Sequence, residues 1–213
     1  MKKHGPVLDG PMRVFEPACG SGRLLESLSA RGHVVHGFDL NKHQVAFAKN
    51  RLKAKGLKGR VWRDRLQDFS LPKSACYDVA HCFVSTFKYI DTEAGAVSAL
   101  RRMAASLRAG GLLLLGLHLT DYKNTPPDHE RWIGRKPGVR VVSDTWSAPA
   151  DRKARTEAMR TRMRITEKGK TRVEETLWDF RTYSPAELKA LLAKAPSLQL
   201  VACHDFHYDL SST

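Results

Sequence analysis

Between residue 12 and about residue 119, apolar runs alternate with amphipathic ones. Arg13 to Glu16, Val34 to Phe38, Arg60 to Trp62, Asp78 to Val84 and Leu112 to Leu117 read as strands. Arg23 to Ala30, the stretch from Asn41 to Gly56 and Glu93 to Leu107 read as helices, the second capped by Asn41 and the third ending in Arg108-Ala109-Gly110-Gly111. Strands that are apolar on both faces, separated by amphipathic helices, predict a parallel sheet covered by helices on both sides. After Asp121 the period changes. Pro126-Pro127 and Gly134 to Gly138 read as loops, and three strand-like runs follow without long helices between them: Val139 to Trp146, Glu157 to Thr166 and Thr171 to Tyr183. They predict an antiparallel β-ribbon over 122–183, a substrate cover or dimer contact, inserted into an α/β domain made of 1–121 and 184–213. Ser184 as N-cap, Pro185 at the first helical position and Glu187 as capping-box acid start another helix. Leu198 to Cys203 reads as one more strand.

The 213 residues suit one large domain or a domain with a subdomain, and a 42% hydrophobic content excludes wholesale disorder. The longest uncharged apolar run, Leu112 to Leu119, is too short to span a membrane. The basic start Met1-Lys2-Lys3 leads into Asp9-Gly10-Pro11, so no secretory signal is expected. Cys19, Cys76, Cys82 and Cys203 show no C-x-x-C spacing, which predicts neither a metal site nor a disulfide framework and makes a reducing cytoplasm the expected setting.

The net charge of +14 is local. Residues 42–60 carry seven Lys/Arg and no acid, and 152–172 carry nine Lys/Arg against Glu157 and Glu167, so each stretch contributes +7. The first predicts a helix with Val45, Phe47, Ala48 and Leu52 on one side and a solvated lysine face on the other. In the second, Arg160, Arg162 and Arg164 alternate with Met159, Met163 and Ile165, which places three arginines on one strand face. Pairing with Glu174 or Glu175 on a neighbouring strand is the favoured reading of that stripe, and phosphate binding is the alternative.

The segment Val14-Phe15-Glu16-Pro17-Ala18-Cys19-Gly20-Ser21-Gly22-Arg23 carries the chemistry. A strand enters a tight glycine-containing turn that opens a helix, so a ligand can approach the backbone closely. Asp39 ends the next strand, where a carboxylate can accept both hydroxyls of a ribose, or can merely cap the helix that follows. A dinucleotide fingerprint would need a third glycine where Leu25 stands. Glu16 at the end of the first strand would repel a phosphate and attract a cation.

With these residues the sequence resembles the class I S-adenosylmethionine-dependent methyltransferases, whose first motif is an acidic residue followed by x-G/A-x-G-x-G. The resemblance extends through Gly37-Phe38-Asp39-Leu40 and Tyr77-Asp78-Val79 to Leu107-Arg108-Ala109-Gly110-Gly111 and Tyr183-Ser184-Pro185-Ala186-Glu187-Leu188. It implies a Rossmann-like, doubly wound, mostly parallel sheet and S-adenosylmethionine as cofactor. It implies that the backbone at Ala18, Gly20 and Gly22 lines the methionine part, with Glu16 nearby, and that Asp39 holds the ribose. Leu66 would pack on the adenine, with Asp64 and Arg65 as the two candidates for its amino group; Cys19, Leu40 and Phe83 complete the implied contacts. Against that family, little precedes the first strand and the seventh strand is expected to be missing or truncated after Cys203.

On the acceptor side, Phe83-Val84-Ser85-Thr86-Phe87-Lys88-Tyr89 has no Asn/Asp-Pro-Pro-Tyr, which speaks against adenine or cytosine N-methylation. His118, Asp121 and Tyr122, after the last apolar strand, are the candidates for substrate contact or proton acceptance. His118 has the better chemistry because an ordinary imidazole titrates near neutrality. His81 reads as core, and Trp132, Trp146 and Trp178 as either a pocket roof or a minor core. The expected activity is methyl transfer to a nitrogen or oxygen of a small molecule, without a membrane and with a homodimer through the ribbon as a candidate assembly. The second reading is nucleic-acid methylation, and the third a non-catalytic protein that binds RNA or a partner.

Overall fold

The structure is a computed structural model and describes residues 10–72 and 75–205. Five strands form one parallel sheet in the order β3-β2-β1-β4-β5: β1 Arg13–Pro17, β2 Val34–Asp39, β3 Arg60–Arg63, β4 Tyr77–Cys82 and β5 Leu107–Leu115. Helices α1 (Arg23–Ser29), α2 (Lys42–Ala54) and α3 (Glu93–Ser106) connect them, joined after β4 by a 3-10 turn over Thr86–Tyr89. The strand order reverses between β1 and β4, the place where an open α/β sheet offers a crevice at its carboxyl edge. Phe15, Phe38, Phe69 and Tyr77 stack through the centre, with Phe15 and Tyr77 rings 4.8 Å apart.

Local chemistry sets several boundaries. The Asn41 side chain accepts from the backbone of His43 and Gln44, opening α2 as expected. Along α2 the buried side chains are Val45, Ala48 and Leu52, spaced three and four apart. Phe47 lies off that stripe and is exposed, with the Arg51 guanidinium 5.2 Å over its ring. Arg108 to Gly111, read as the end of the third helix, lies inside β5, where the β4–β5 register shifts and a Cβ on Gly111 would sit 3.0 Å from the Tyr77 carbonyl oxygen. The leucines of β5 are half-buried because β5 is the sheet's edge among the described residues.

A second sheet is antiparallel with four strands, one more than the sequence suggests: β6 Asp128–Lys136, β7 Val139–Ser147, β8 Thr156–Glu167 and β9 Lys170–Arg181. β6 takes in Gly134 to Lys136 of the segment read as loop, and Pro137-Gly138 forms the turn to β7. The residues of β6 are exposed throughout, so no alternation betrays it, and it becomes a strand through its ladder to β7. α4 (Pro185–Ala193) begins with the expected capping box between Ser184 and Glu187. Leu198 to Cys203 forms no strand, and the question of a seventh strand falls on 206–213, outside the described residues. No described helix is long and apolar enough to cross a membrane.

Candidate active site

The turn after β1 is held by β2. Cys19 donates its N–H to the Phe38 carbonyl (2.8 Å), and Gly20 donates to Asp39 Oδ2 (2.9 Å). Gly20 and Gly22 have φ of 52° and 71°, in the left-handed region that favours glycine. The two glycines serve different needs. A Cβ on Gly22 would lie 2.8 Å from the Ala48 Cβ of α2, whereas a Cβ on Gly20 would meet nothing within 4 Å. Gly22 therefore lets α2 pack against the turn, and Gly20 faces open space that a ligand can enter. Leu25, in place of a third glycine, is fully buried beneath the turn.

Glu16 ends β1 at the point where the strand order reverses, only 8% exposed. Its Oε2 has no hydrogen-bond partner, and its Oε1 stands 4.0 Å from Nδ1 of His81 on β4. Burial, with Asp39 nearby, pushes the Glu16 carboxyl up to about 8. His81 is 4% exposed, both its ring nitrogens lack partners, and burial pulls it down to about 4. The reading of His81 as core holds for its burial, yet an imidazole with two unpaired nitrogens is no ordinary core residue. Burial and the Glu16 charge also push the Cys19 thiol up to about 12, so Cys19 is a small packing residue.

The helix after β2 is capped by Asn41 and not by Asp39. Asp39 Oδ2 accepts from Gly20 and its Oδ1 from the Asn41 N–H at 2.8 Å, so the carboxylate ties the turn to the end of β2 and stays partly exposed. Leu40 beside it is an exposed apolar side chain. Asp64 is committed within the protein: it accepts from the Trp62 indole, the Arg65 N–H and the Ser70 N–H. Arg65 points to solvent near Asp68, and Leu66 belongs to the main core.

At the ends of β4 and β5, Phe83 stacks on His81 and is partly exposed. Val84 and Ser85 follow with φ of 57° each, and Val84 is 87% exposed. Consecutive non-glycine residues in this region store strain of about 1 kcal/mol or more apiece, as functional edges do. Ser85 fastens the two strand ends together: its N–H donates to the Gly116 carbonyl and its hydroxyl accepts from the His118 N–H. His118 is thereby exposed at the sheet's carboxyl edge. The other two acceptor-side candidates have different work. Asp121 Oδ1 accepts from the Lys123 N–H to close a turn. The Tyr122 hydroxyl shares a hydrogen bond with Thr182 (2.7 Å) and donates to Glu187 (3.1 Å), bracing α4. The structure does not gather these three into one constellation, because the chain after Thr120 turns away to pair with Tyr183.

Two residues that no sequence pattern marks, Lys88 and Glu157, join the antiparallel sheet to this edge. Lys88, 4% exposed, makes a 2.9 Å ion pair with Glu157 of β8, with its ammonium 5.0 Å from the Phe180 ring centroid. Tyr89, Trp178 and Phe180 cluster beside them. Trp178 thus faces the α/β body, while Trp132 is exposed and Trp146 stacks on His129 in the distant part of the sheet. The arginine stripe lies on the opposite face. Arg160 pairs with Glu175 at 2.9 Å, Arg162 is opposite Glu175 and Asp144, and Arg164 reaches Asp144 at 3.8 Å. Glu174, opposite Met163, is on the other face and pairs with Arg172. Among the described residues no group of three or more His, Cys, Asp or Glu could hold a metal.

Residues 14–111 match the family described as the methyltransferase domain. The ubiquinone biosynthesis O-methyltransferase of Vibrio vulnificus (strain YJ016) is 27% identical over 99 residues, 46% of this chain and 40% of that protein. The chain spans less than half the length of the first curated relatives it matches. Among solved structures, the sugar N-methyltransferase KedS8 from Streptoalloteichus sp. ATCC 53650 superposes with a TM-score of 0.74 at 21% identity, over 87% of this chain and 72% of that one. CalS10, an amino pentose methyltransferase from Micromonospora echinaspora solved with S-adenosylmethionine, superposes with a TM-score of 0.68 at 22% identity, over 87% and 75%. The orphaned Glu16 oxygen, the open space at Gly20 and the carboxylate of Asp39 fit a ligand that is both cationic and ribose-bearing. Residues 14–111 thus match a methyltransferase domain, and the chain shares the fold of the methyltransferases KedS8 and CalS10.

Proposed function

We propose that this protein transfers a methyl group from S-adenosylmethionine to a nitrogen or oxygen of a small molecule. The observation that carries the reading is Glu16: a buried acid with an unpaired oxygen, at the strand-order reversal and beside the open turn, suits a cation and not a pyrophosphate. When bound, the cofactor supplies a methyl on a sulfonium, open to in-line displacement. The chain's part is alignment and proton disposal. Asp39, preset by the N–H groups of Gly20 and Asn41, has lone pairs left for ribose hydroxyls. Leu40 offers apolar surface for the adenine in place of the core-bound Leu66, and Phe83 borders the methionine part. His118, exposed at the acceptor edge, is the candidate proton acceptor. The β6–β9 sheet covers that edge through Lys88, Glu157 and Trp178. Because the arginines of β8 face away from Trp178 and engage Glu175 and Asp144, a small acceptor is favoured over a nucleic acid. KedS8 and CalS10 make amino sugars the first acceptors to try.

Isothermal titration with S-adenosylmethionine and with NAD tests the cofactor; heat with NAD alone would overturn it. Incubation with methyl-labelled cofactor and separate panels of amino sugars, phenols and RNA tests the acceptor. Label entering RNA but no small molecule would reverse that part of the reading.

A further inference from the structure

His81 is, among the described residues, the one buried imidazole beside the cofactor crevice, and the roles above leave it unused. It lies on β4 immediately across from the carboxyl end of β1, with Phe83 stacked on it at 5.0 Å. Neither ring nitrogen has a partner, although the residue is more than nine-tenths buried; Glu16 Oε2 is equally unpaired, and Glu16 Oε1 stands 4.0 Å from His81 Nδ1. Two unsatisfied polar side chains side by side in the floor of a ligand site are costly, since each forgoes its bonds to water. They are explicable if ligand entry completes them.

We propose that His81 is a positioning residue for cofactor binding: when a cationic ligand enters, Glu16 loses its proton to solvent and the neutral His81 ring turns its Nδ1–H into a hydrogen bond that fixes the new carboxylate. This rests on the assignment of the crevice to S-adenosylmethionine. The proton inventory is simple. Glu16 goes from carboxyl to carboxylate, one proton leaves for bulk water, and His81 remains neutral throughout. The imidazole is not the acceptor, because burial holds it neutral above about pH 4 and an incoming cation makes its protonation harder still. The groups around Glu16 agree with this direction. Asp39 on β2 opposes a second negative charge, the Cys19 and Cys82 thiols are held protonated, and the Leu25 backbone N–H gives the carboxyl a single bond. A carboxylate in this position gains from a second donor, which His81 Nδ1, 4.0 Å from Oε1, can supply after a small ring rotation.

Calorimetric titration of S-adenosylmethionine in buffers of different ionisation enthalpy counts the protons. With a Glu16 carboxyl near 8, about 0.9 proton should be released per ligand at pH 7 and almost none at pH 9. His81→Phe, which keeps a flat ring and removes the donor, should bind about tenfold more weakly or worse and release fewer protons at pH 7. His81→Gln, which keeps an N–H, should recover part of both. In the unaltered protein, imidazole 15N spectra should show His81 settling into the Nδ1–H tautomer on ligand addition, a readout that does not depend on any variant folding. Wild-type affinity and proton release in His81→Phe, or a His81 tautomer unchanged by bound ligand, would overturn the proposal. Absence of any S-adenosylmethionine binding by the unaltered protein would instead overturn the cofactor assignment beneath it.

Discussion

The two sheets solve the same problem by opposite means. The parallel sheet carries the larger core: Phe15, Phe38, Phe69, Tyr77 and Leu100 are essentially inaccessible. The antiparallel sheet has little core. Val142 and Asp144 are its buried members, Leu177 is 71% exposed, and its rows are laced with Arg-carboxylate pairs. It is anchored to the α/β body by charge. Lys88 meets Glu157, and Glu93 at the start of α3 gathers Arg155, Arg181 and Lys194. A sheet with a dense hydrophobic interior can position Glu16, Asp39 and His81 to a fraction of an ångström. On the proposed function the parallel sheet is the floor of the site and the antiparallel sheet, held by its ladders and a few polar anchors, its roof.

The most severe test of that division is the buried anchor. Glu157→Ala leaves the Lys88 ammonium desolvated and unpaired, and a loss of about 3 kcal/mol or more is expected in denaturant unfolding. Lys88→Met/Glu157→Met together should recover much of it. If the single variant unfolds like the parent, the roof does not depend on this pair.

Glu16 sharpens the contrast within the floor itself. Its folded-state carboxyl titrates near 8 against about 4.5 in the unfolded chain, so the folded state holds the proton more tightly. The stability associated with that proton is complete below about pH 4.5 and is lost as pH rises through 8. Glu16→Gln should therefore be more stable than the parent at pH 8, by up to about 4 kcal/mol, and no more stable at pH 4, while binding S-adenosylmethionine less well. A variant that is less stable at pH 8 would show that the acid is paid for by interactions other than those described.

Asp39→Ala should weaken cofactor binding by about 2 to 3 kcal/mol, through loss of charge-assisted bonds and of the acceptor that fixes the Gly20 N–H. Titration calorimetry reads this directly, and unchanged affinity would reduce Asp39 to a turn-forming role. The smallest effect belongs to the roof's outer face. Replacing Arg160, Arg162 and Arg164 together by Gln should barely move the thermal midpoint, because these are solvent-screened pairs. Nor should it alter methyl transfer to a small acceptor. Sub-micromolar RNA binding abolished by the triple variant would turn the assignment toward nucleic acid.

What could be read from the sequence was what depends on neighbours along the chain. The caps at Asn41 and Ser184, the glycines of the turn after β1 and the carboxylate of Asp39 follow from residues within a few positions of one another. The parallel sheet followed from apolar periodicity, and its likeness to a known family added the cofactor. β6 was not readable, because Asp128–Lys136 is polar throughout and is a strand only by pairing with β7. Leu198 to Cys203 shows the converse: strand-forming residues make no strand where none of the described strands pairs with them. Sequence order likewise grouped His118, Asp121 and Tyr122 by proximity along the chain, whereas only folding assigned Tyr122 to Glu187 and Asp121 to its own turn. The protonation of Glu16, its placement beside His81 and the Lys88–Glu157 anchor join residues 65 and 69 positions apart. Their chemistry is set by desolvation and distance, which exist only once distant segments have packed and water has been excluded between them.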